Sequence, residues 1–421
     1  MANTFLNAKE YANVMLLLLK NNLVMGRLVD GRFNNKVTDQ NGLTIHVKRP
    51  PQFIAKDGPT LAEQAIATGS TALTVDRYRN VHIAVTDLEA VQSWNQLMRS
   101  ETMKSAASTL AHDVDLYLHE MLKFFPSHVG TPGETIKTPG QFLSAHTRLM
   151  EQSVPNTDLN AVISYGDAEN IRASLLAGNI SGVNRTALER TKIPLMSEID
   201  AYASQHIKSV VAGTRAASGA AVVNGAAQNV NYVTVKDLDY QEFDMDGLAA
   251  GATVKKGEIF TIADVYAINN RSGETLPYLR QFVVMEDYTA DGTGAIDNMK
   301  IYPPIVVAGT GGGEADTNQA FATVDSVPAD GAAITFMGAA GLVMPVRAAW
   351  QKQAIQLVSA RLETPMSDTS SFATDPETGI SIRYWRGSDI ATGKHIHRWD
   401  MIYGAKNVDP RLGTRISGLP A

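Results

Sequence analysis

The chain has 421 residues, of which 44% are hydrophobic and 19% are charged. This ordinary globular balance predicts large cores and about two to four domains, and it argues against overall disorder. The formal net charge of -6, without a basic block, argues against a nucleic-acid reader. The absence of cysteine excludes disulfides, thiolate metal sites and a cysteine nucleophile.

The most apolar run of the chain lies near its start. Residues 14–19 read VMLLLL, far fewer than the roughly 20 residues that cross a bilayer. Lys9 and Glu10 make a poor signal-peptide n-region, and no small-residue cleavage site follows the run. The pattern predicts an N-terminal helix from Asn7 to about Val24, in a chain that we expect to be soluble and to have no membrane partner.

Strand patterns follow the glycine- and asparagine-rich residues 26–42. Residues 44–48 alternate with period two, and a second strand signal runs through residues 72–75 and 81–85. The polar connection between the two is long, and such connections are usually functional or disordered. We therefore predict an extended hairpin arm.

Residues 89–125 contain neither glycine nor proline, and their apolar residues recur close to the helical period. The recurring positions are Leu97, Met103, Ala107, Leu110, Val114, Tyr117, Leu118, Met121 and Phe125. The pattern predicts a spine helix of about 30 residues, well beyond the average of about 11–12, on which other elements pack.

A region of mixed character follows the spine helix. Residues 139–212 carry both helix and strand signals, including a buried strand at 160–165 and a helix at 168–176 capped by Asp167. Residues 213–229 are small, glycine-rich and almost uncharged, which is typical of a linker.

The next hundred residues show strand patterns only. Four strand candidates, separated by glycine-rich turns, lie at 254–262, 281–285, 299–302 and 320–324. Such spacing predicts a small antiparallel barrel or sandwich. Mixed character returns after Gly338, with strand candidates at 354–358, 379–385 and 395–401. This order predicts a β domain inserted into a mixed host domain.

The triple glycine at 311–313 raises the question of a phosphate loop. Such a loop needs a following lysine, a serine or threonine for the metal, and a helix whose N-terminus faces the anion. Here Glu314 and Asp316 follow instead, which is the wrong charge. The pattern predicts a turn between strands, with no helix after it.

Two histidine groups could hold a metal. His395 and His397 alternate onto one strand face near Asp400, and His112, Asp115 and His119 share one face of the spine helix. We favour ordinary strand residues for the first group, and a solvated or subunit-contacting polar face for the second.

Other chemical motifs are weak. No G-x-S-x-G elbow is present. The acidic pairs Asp237/Asp239 and Asp244/Asp246 lack the glycine and terminal glutamate of a calcium loop, so we interpret them as solvated loops. We expect no catalytic residues, no metal and no cofactor, and a protein that is not an enzyme.

The order of elements, together with several short stretches, resembles the major capsid (coat) proteins of tailed bacteriophages, and more closely the short-tailed Salmonella-phage type. The stretches are residues 105–120 on the spine, Val254-Lys255-Lys256-Gly257-Glu258, the run Trp399 to Ala405, Asp409-Pro410-Arg411 and Gly418-Leu419-Pro420. The resemblance implies an α+β fold of the HK-ninety-seven type, with an inserted antiparallel barrel that supports folding and contacts between capsomers.

The resemblance also implies a division into domains. The implied parts are an N-terminal arm (1–42), an extended β-hairpin loop (43–86), a peripheral domain with the spine helix (87–149), an axial domain with a C-terminal return to the peripheral region (150–225 and 340–421), and the inserted barrel (226–339). Subunit-contact candidates on the loop are Lys56, Asp57, Glu63, Arg77 and Arg79.

The implied function is that of a structural shell protein. Copies would assemble as pentamers and hexamers into an icosahedral head around double-stranded DNA, which is bound non-specifically. The implied partners are other copies, a scaffolding protein, the portal and a decoration protein, in a virion assembled in the host bacterial cytoplasm.

Three alternatives stay open. A protein-nanocompartment subunit would share the fold, but such subunits generally lack a large β insertion. An α/β enzyme with a β accessory domain would need a pocket of convergent polar groups. A secreted β-rich adhesion protein is disfavoured by the missing signal sequence.

Overall fold

The computed structural model describes residues 8–34, 42–49, 51–55, 66–86, 101–177, 198–215, 220–225, 228, 231–309, 315–363, 365, 369–390 and 392–420. The chain forms two compact units. The first contains Met1–His46, Ala72–Met121 and Ile355–Asn407, and the second contains Val47–Thr71, Leu122–Ala354 and Val408–Ala421.

The described residues form helices and runs of mostly antiparallel strands, so the predicted α+β class is confirmed. The α-helices are α1 (Ala8–Asn22), α2 (Glu101–Met121), α3 (Pro139–Glu151), α4 (Tyr165–Ala177), α5 (Tyr232–Val235) and α6 (Ala315–Ala320). The strands before the linker are β1 (Thr44–Lys48), β2 (Ser70–Thr74), β3 (Arg77–Thr86), β4 (Ser127–Val129), β5 (Leu159–Ile163), β6 (Ile199–Ala203) and β7 (Ser209–Val211). The following strands are β8 (Val222–Val223), β9 (Gln241–Asp246), β10 (Thr253–Val254), β11 (Ile259–Ile268), β12 (Thr275–Val284), β13 (Tyr288–Thr289), β14 (Ile296–Tyr302) and β15 (Ile334–Phe336). The last are β16 (Val343–Pro345), β17 (Arg347–Gln351), β18 (Ile355–Ala360), β19 (Thr369–Thr374), β20 (Ser381–Asp389), β21 (Lys394–Asn407) and β22 (Gly413–Ile416).

The first unit is a sheet packed against two helices. The fourteen-residue β21 is central in this sheet and pairs with β18, β20 and β3, while β19 pairs with β20. Its side chains Trp399, Met401 and Tyr403 are buried. The predicted N-terminal helix is confirmed as α1, which packs on α2 and on β19 and β20.

The predicted arm separates into two parts. β1 and β2 form a two-stranded sheet of their own, whereas β3 pairs along its whole length with β21, from Thr86↔Lys394 to Arg77↔Tyr403. The hairpin therefore consists of β1 and β2, and β3 extends the sheet of the first unit. Sequence alternation predicted the strands but carried no information on which partner each would choose.

The predicted spine helix is confirmed over α2, which continues into a 3-10 turn at Leu122–Phe124. Its predicted apolar stripe is buried, with Met103, Ala107, Leu110 and Val114 at or below 2% exposure. The part of the prediction that covers residues 89–100 lies outside the described residues.

The polar face of α2 differs from the prediction. Asp115 and His119 are buried rather than solvated or subunit-contacting. The Asp115 carboxylate accepts hydrogen bonds from the backbone N–H groups of Val24 (2.9 Å) and Met25 (3.0 Å). These donors follow the end of α1, so Asp115 holds the segment that leaves the N-terminal helix.

The second unit contains a mixed five-stranded sheet in the order β4-β22-β17-β5-β6. β17 pairs antiparallel with β5 and β22, and the outer pairs β22–β4 and β5–β6 are parallel. Helix α3 packs on β22 and β17, and α4 packs on α3. The predicted buried strand at 160–165 is confirmed as β5, whose five residues are all buried.

The start of α4 corrects a predicted cap. Helix α4 begins at Tyr165, and Ser164 precedes it as the cap. The Asp167 N–H donates to Ser164 Oγ (3.1 Å), and the Ser164 N–H donates back to the Asp167 carboxylate (3.2 Å). This reciprocal pair is a capping box with the acidic residue in the first turn. Asp167 also pairs with the buried guanidinium of Arg347.

A second, closed β sheet lies in the second unit. Six strands follow the order β15-β11-β12-β14-β9-β8, with antiparallel pairing throughout. A bridge between Val222 and Ala333, and the hydrogen bond from Ile334 N–H to Ala221 O (2.8 Å), join the two ends of this order. Its interior is aromatic and aliphatic, with Phe243, Phe260 and Phe282 fully buried. This sheet is called the barrel below.

Two short helices interrupt the region predicted to be all strand. Helix α5 precedes β9, and α6 ends at Ala320, so the predicted strand at 320–324 is wrong. The glycine-rich residues 310–314 lie outside the described residues, but a helix does follow them, contrary to the prediction. Tertiary contacts explain it, because Asn318 of α6 accepts the Tyr232 N–H (2.9 Å) and Phe321 stacks on Tyr232 at 3.8 Å.

Within the described ranges, no helix is both long enough and apolar enough to cross a membrane.

We predict that Asp115 makes stability depend on pH between about 4 and 7. Burial raises the pKa of Asp115 from 3.8 to about 6, against the lowering effect of its backbone hydrogen bonds. The native state therefore binds a proton that the unfolded state releases, so this group adds stability as pH falls from 7 through 6. Through this group, the free energy of unfolding of the unaltered chain should rise by about 1 kcal/mol from pH 7 to pH 5. Asp115→Asn should lose this rise.

The measurement is urea unfolding of the unaltered chain and of Asp115→Asn at pH 5 and pH 7. The exposed strand residue Asp200 supplies a matched control, because Asp200→Asn should follow the unaltered chain at both pH values. An Asp115→Asn variant with the same pH dependence as the unaltered chain would contradict the prediction.

Candidate functional site

Two acidic side chains hold the loop end of the β1–β2 hairpin, where Arg49 follows β1 and Ser70 begins β2. Asp237 accepts hydrogen bonds from the N–H (2.9 Å) and the hydroxyl (3.1 Å) of Ser70. Asp239 pairs with the guanidinium of Arg49 at 3.0 Å. Asp237 and Asp239 lie in the loop between α5 and β9, and Asp237 is exposed, as the solvated-loop interpretation expects, but both carboxylates also have partners at the ends of β1 and β2. Asp244 and Asp246, by contrast, lie in β9 and not in a loop.

Apolar packing supports the same end of the hairpin. Ile54 and Ala67, on the two sides of the connection between β1 and β2, pack on a cluster that includes Tyr232 and Phe321. At Gly69 the backbone approaches so closely that an added Cβ would lie 2.0 Å from the carbonyl oxygen of Lys236. The segments next to Arg49 and Ser70 are therefore closely packed on the second unit, to which they belong.

The described ends of the hairpin expose large apolar side chains. Leu43, Phe53 and Ile66 are 50%, 57% and 72% exposed. Three of the predicted contact residues, Lys56, Asp57 and Glu63, lie outside the described residues. Large exposed apolar side chains are typical of a surface that another chain covers.

The two remaining predicted contact residues lie on β3 and contact α2. The guanidinium of Arg77 is 4.7 Å from the ring centroid of Tyr117. Arg79 donates to Asp113 at 2.8 Å, and Asp113 also accepts the hydroxyl of Tyr403 at 2.6 Å. Both arginines therefore have partners inside the first unit. Their role in contacts between subunits stays a prediction.

A buried carboxylate clamps the entrance of the barrel. Glu258 follows the turn that precedes β11 and accepts the N–H of Gly213 (2.5 Å) and the N–H of Lys255 (2.8 Å). Its second oxygen lies 2.7 Å from the guanidinium of Arg215. Burial raises the pKa of Glu258, an effect that Arg215 opposes. One side chain thus joins the linker at 213–215 to the start of the barrel.

Two further contacts dock the barrel on the five-stranded sheet. Gln281 of β12 accepts the His128 N–H (2.6 Å) and donates to the His128 carbonyl (3.0 Å). Arg415 of β22 donates to the carbonyl oxygens of Gly257 (2.7 Å) and Lys123. Gly257 has φ of +87°, and a side chain there would press on Lys123 and Val210. The turn Lys255-Lys256-Gly257-Glu258 is therefore a junction between host sheet and barrel.

The histidine groups do not form a metal site in the described residues, where no cluster of three suitable ligands is found. His397 contacts the hydroxyl of Tyr384 at 2.5 Å, and burial lowers its pKa to about 4. His395 contacts the Ser388 hydroxyl. The predicted third ligand, Asp400, is buried between the guanidinium groups of Arg383 and Arg398, each 2.6 Å away.

The comparison with known families decides the identity. The family model described as "P22 coat protein - gene protein 5" matches residues 1–418. The chain belongs to this coat-protein family. It is a structural major capsid protein that forms the head of a tailed phage, and the family predicted from the element order is confirmed. A search of curated protein sequences finds no match.

Solved structures similar to this coat protein come from phages. A structure of Mycobacterium phage Che8 is 13% identical, covering 93% of this chain and 90% of the other, with a TM-score of 0.47. The capsid of Ralstonia phage GP4 is 7% identical, covering 99% and 93%, with a TM-score of 0.44. The CUS-3 coat protein I-domain is 23% identical over 29% of this chain and 96% of its own, with a TM-score of 0.21.

The residues that sequence reasoning missed are the anchors of this coat protein. The sequence alone does not identify Arg215, Gln281 and Arg415 as anchors, and it does not show that Asp237 and Asp239 have partners. For Glu258 a signal existed, because a carboxylate directly after a Lys-Gly turn can accept the turn's free backbone N–H groups. For the others the partners are distant in sequence, and no local pattern shows them.

We predict that Glu258→Ala destabilises the barrel by about 3–5 kcal/mol, because it leaves Arg215 buried without its carboxylate and two backbone donors without an acceptor. Glu258→Gln keeps one acceptor oxygen and should cost less. Urea unfolding followed by the fluorescence and circular dichroism of the chain measures both. The exposed turn residue Glu274 is the control, since Glu274→Ala should change stability by less than about 0.5 kcal/mol. If Glu258→Ala were as stable as the control, Glu258 would not stabilise the junction and the prediction would be wrong.

We predict that Asp237→Ala loosens β2 near Ser70 without unfolding the second unit. The Ser70 N–H loses its acceptor, so backbone exchange in residues 66–74 should accelerate about tenfold, which corresponds to about 1.4 kcal/mol. Hydrogen exchange read by mass spectrometry measures this rate. Asp297→Ala, at an exposed position of β14, is the control and should leave these peptides unchanged. Unaltered exchange in Asp237→Ala would show that Asp237 does not hold the strand.

Proposed function

We propose that copies of this coat protein assemble as pentamers and hexamers into a closed icosahedral head that encloses double-stranded DNA. The observation that carries the proposal is the β1–β2 hairpin, which is held at Arg49 and Ser70 and exposes Phe53 and Ile66 beyond these contacts. A neighbouring copy can cover apolar side chains on such an anchored segment in a defined direction, as closed assemblies require.

The same proposal assigns a role to each segment of the chain. The hairpin within residues 43–86 reaches a neighbour, and residues 87–149 supply the spine of a peripheral domain. Residues 150–225 and 340–421 form the axial domain and the return to the periphery, and residues 226–339 form the inserted barrel. The three junction contacts of Glu258, Gln281 and Arg415 support a barrel that moves as one piece with the sheet beneath it.

Charge supports the proposed relation to the genome. The formal net charge is -6, so the wall as a whole does not attract phosphates strongly. A wall that bound DNA tightly would hinder packaging and ejection. The DNA contact is therefore non-specific and weak.

The proposed partners are those that a growing head needs. A scaffolding protein guides curvature, a portal occupies one vertex, and a decoration protein reinforces the mature surface. Assembly takes place in the host bacterial cytoplasm, and the finished protein resides in the virion. The protein has no catalytic role. The nanocompartment alternative loses its support because the coat-protein family model spans nearly the whole chain.

The test is assembly in the presence of the scaffolding protein encoded next to this chain. Lysates examined by sedimentation and negative-stain microscopy should contain closed shells tens of nanometres across. Phe53→Ser combined with Ile66→Ser should fold normally, because both side chains are already exposed, yet form about tenfold fewer shells. Ile390→Ser, at a fully exposed turn outside the hairpin, is the matched control. Small oligomers alone from the unaltered chain would refute the proposed function.

A further inference from the structure

A small cavity lies at the junction of the barrel and the five-stranded sheet. Its walls come from both, with Ile259 and Met337 on the barrel side and His128, Arg415 and Ser417 on the sheet side. The cavity is partly open to solvent. Small solutes can therefore reach it without unfolding of the chain.

Arg415 brings a positive charge to this cavity, and no carboxylate of the described residues pairs with it. Its side chain is 6% exposed, and its two terminal nitrogens donate to the backbone carbonyls of Gly257 and Lys123. Within the described part of the chain, its Nε–H has no acceptor. Burial lowers the pKa of Arg415 to about 9, so the guanidinium remains charged at neutral pH. A buried cation without a counter-ion is costly, and an anion beside it would remove much of that cost.

His128 supplies a second unused group at the same cavity. Its Nε2 lies 3.0 Å from the hydroxyl of Ser417, and its buried Nδ1 has no partner among the described residues. Burial, reinforced by the charges of Arg415, Arg148 and Arg347, lowers the pKa of His128 to about 3. The imidazole is therefore neutral. When Nε2 accepts a hydrogen bond from the Ser417 hydroxyl, the ring hydrogen is on Nδ1, which is then free to donate.

We propose that this cavity binds one small monovalent anion of the size of chloride, held by the Nε–H of Arg415 and the Nδ1–H of His128. Two donors, one of them charged, and a surrounding positive potential favour an anion over a neutral water molecule. A metal cation is disfavoured by the neighbouring guanidinium, although Met337 and Met344 also line the cavity.

The bound anion strengthens the attachment of the barrel. Arg415 contacts the Gly257 turn, and the His128 backbone is held by Gln281, so both donors belong to residues that dock the barrel. The anion offsets the charge of Arg415 and so stabilises the junction on the side of the five-stranded sheet. Glu258 stabilises the same junction on the side of the linker. The stability of the unassembled chain should therefore depend on which anion is present.

The direct experiment is anomalous diffraction from crystals of the full chain in which sodium bromide replaces sodium chloride. A bromide peak within hydrogen-bonding distance of Arg415 Nε and His128 Nδ1 is the expected result. A cavity that holds only water, or no ordered density, overturns the proposal. The readout needs no variant and no shell assembly.

The second experiment is urea unfolding of the unassembled chain in sodium chloride and in sodium gluconate at equal ionic strength. If one anion binds the native state, each tenfold rise in chloride above its Kd increases the folding equilibrium constant by up to about tenfold, and bulky gluconate does not. Arg415→Met should lose this difference, while Arg271→Met, at an exposed turn of the barrel, should retain it. Where Arg415→Met fails to fold, His128→Phe removes the second donor and should weaken the chloride dependence. Equal midpoints in the two salts for the unaltered chain overturn the proposal.

Discussion

The attachment of the barrel depends on buried charges that satisfy backbone groups. The carboxylate of Glu258 accepts two N–H groups at the barrel's entrance, and the guanidinium of Arg415 donates to two carbonyls beneath it. These four backbone groups lie in turns and linkers, where no strand partner is available to pair with them. Unpaired, each would cost about 1–3 kcal/mol. Two charged side chains therefore decide where the barrel sits on the sheet that carries it.

Carboxylates also accept backbone N–H groups at the ends of other elements. Asp115 accepts the N–H groups that follow α1, Asp167 accepts the N–H of Ser164 before α4, and Asp237 accepts the N–H of Ser70 at the start of β2. In each case a carboxylate replaces the backbone acceptor that a regular element would supply. Such anchors are short and directional, which suits a shell subunit whose projections must point the same way in every copy.

Several features of this architecture were predictable from the sequence. Helix α1, strand β1 and the buried stripe of α2 follow from apolar period, because periodicity records which face of an element is buried. The barrel was predictable as an insertion, since strand patterns and glycine turns replace mixed character between two similar regions. Local chemistry also indicated the junction, because a Lys-Gly turn followed by Glu258 contains both the donors and the acceptor of the clamp.

The sequence by itself thus determined the type, the order and the buried faces of most elements, together with the coat-protein family. The tertiary structure alone decided which elements pair. It placed β3 on β21 instead of in the hairpin, buried Asp115 and His119, and gave Asp237 and Asp239 partners in Ser70 and Arg49. It also formed helix α6 where a strand pattern ran, because Tyr232 and Phe321 stack across more than eighty residues of chain. The physical reason is that periodicity is a local property, whereas the partner of a strand, a carboxylate or a ring is set by chain segments that are distant in sequence.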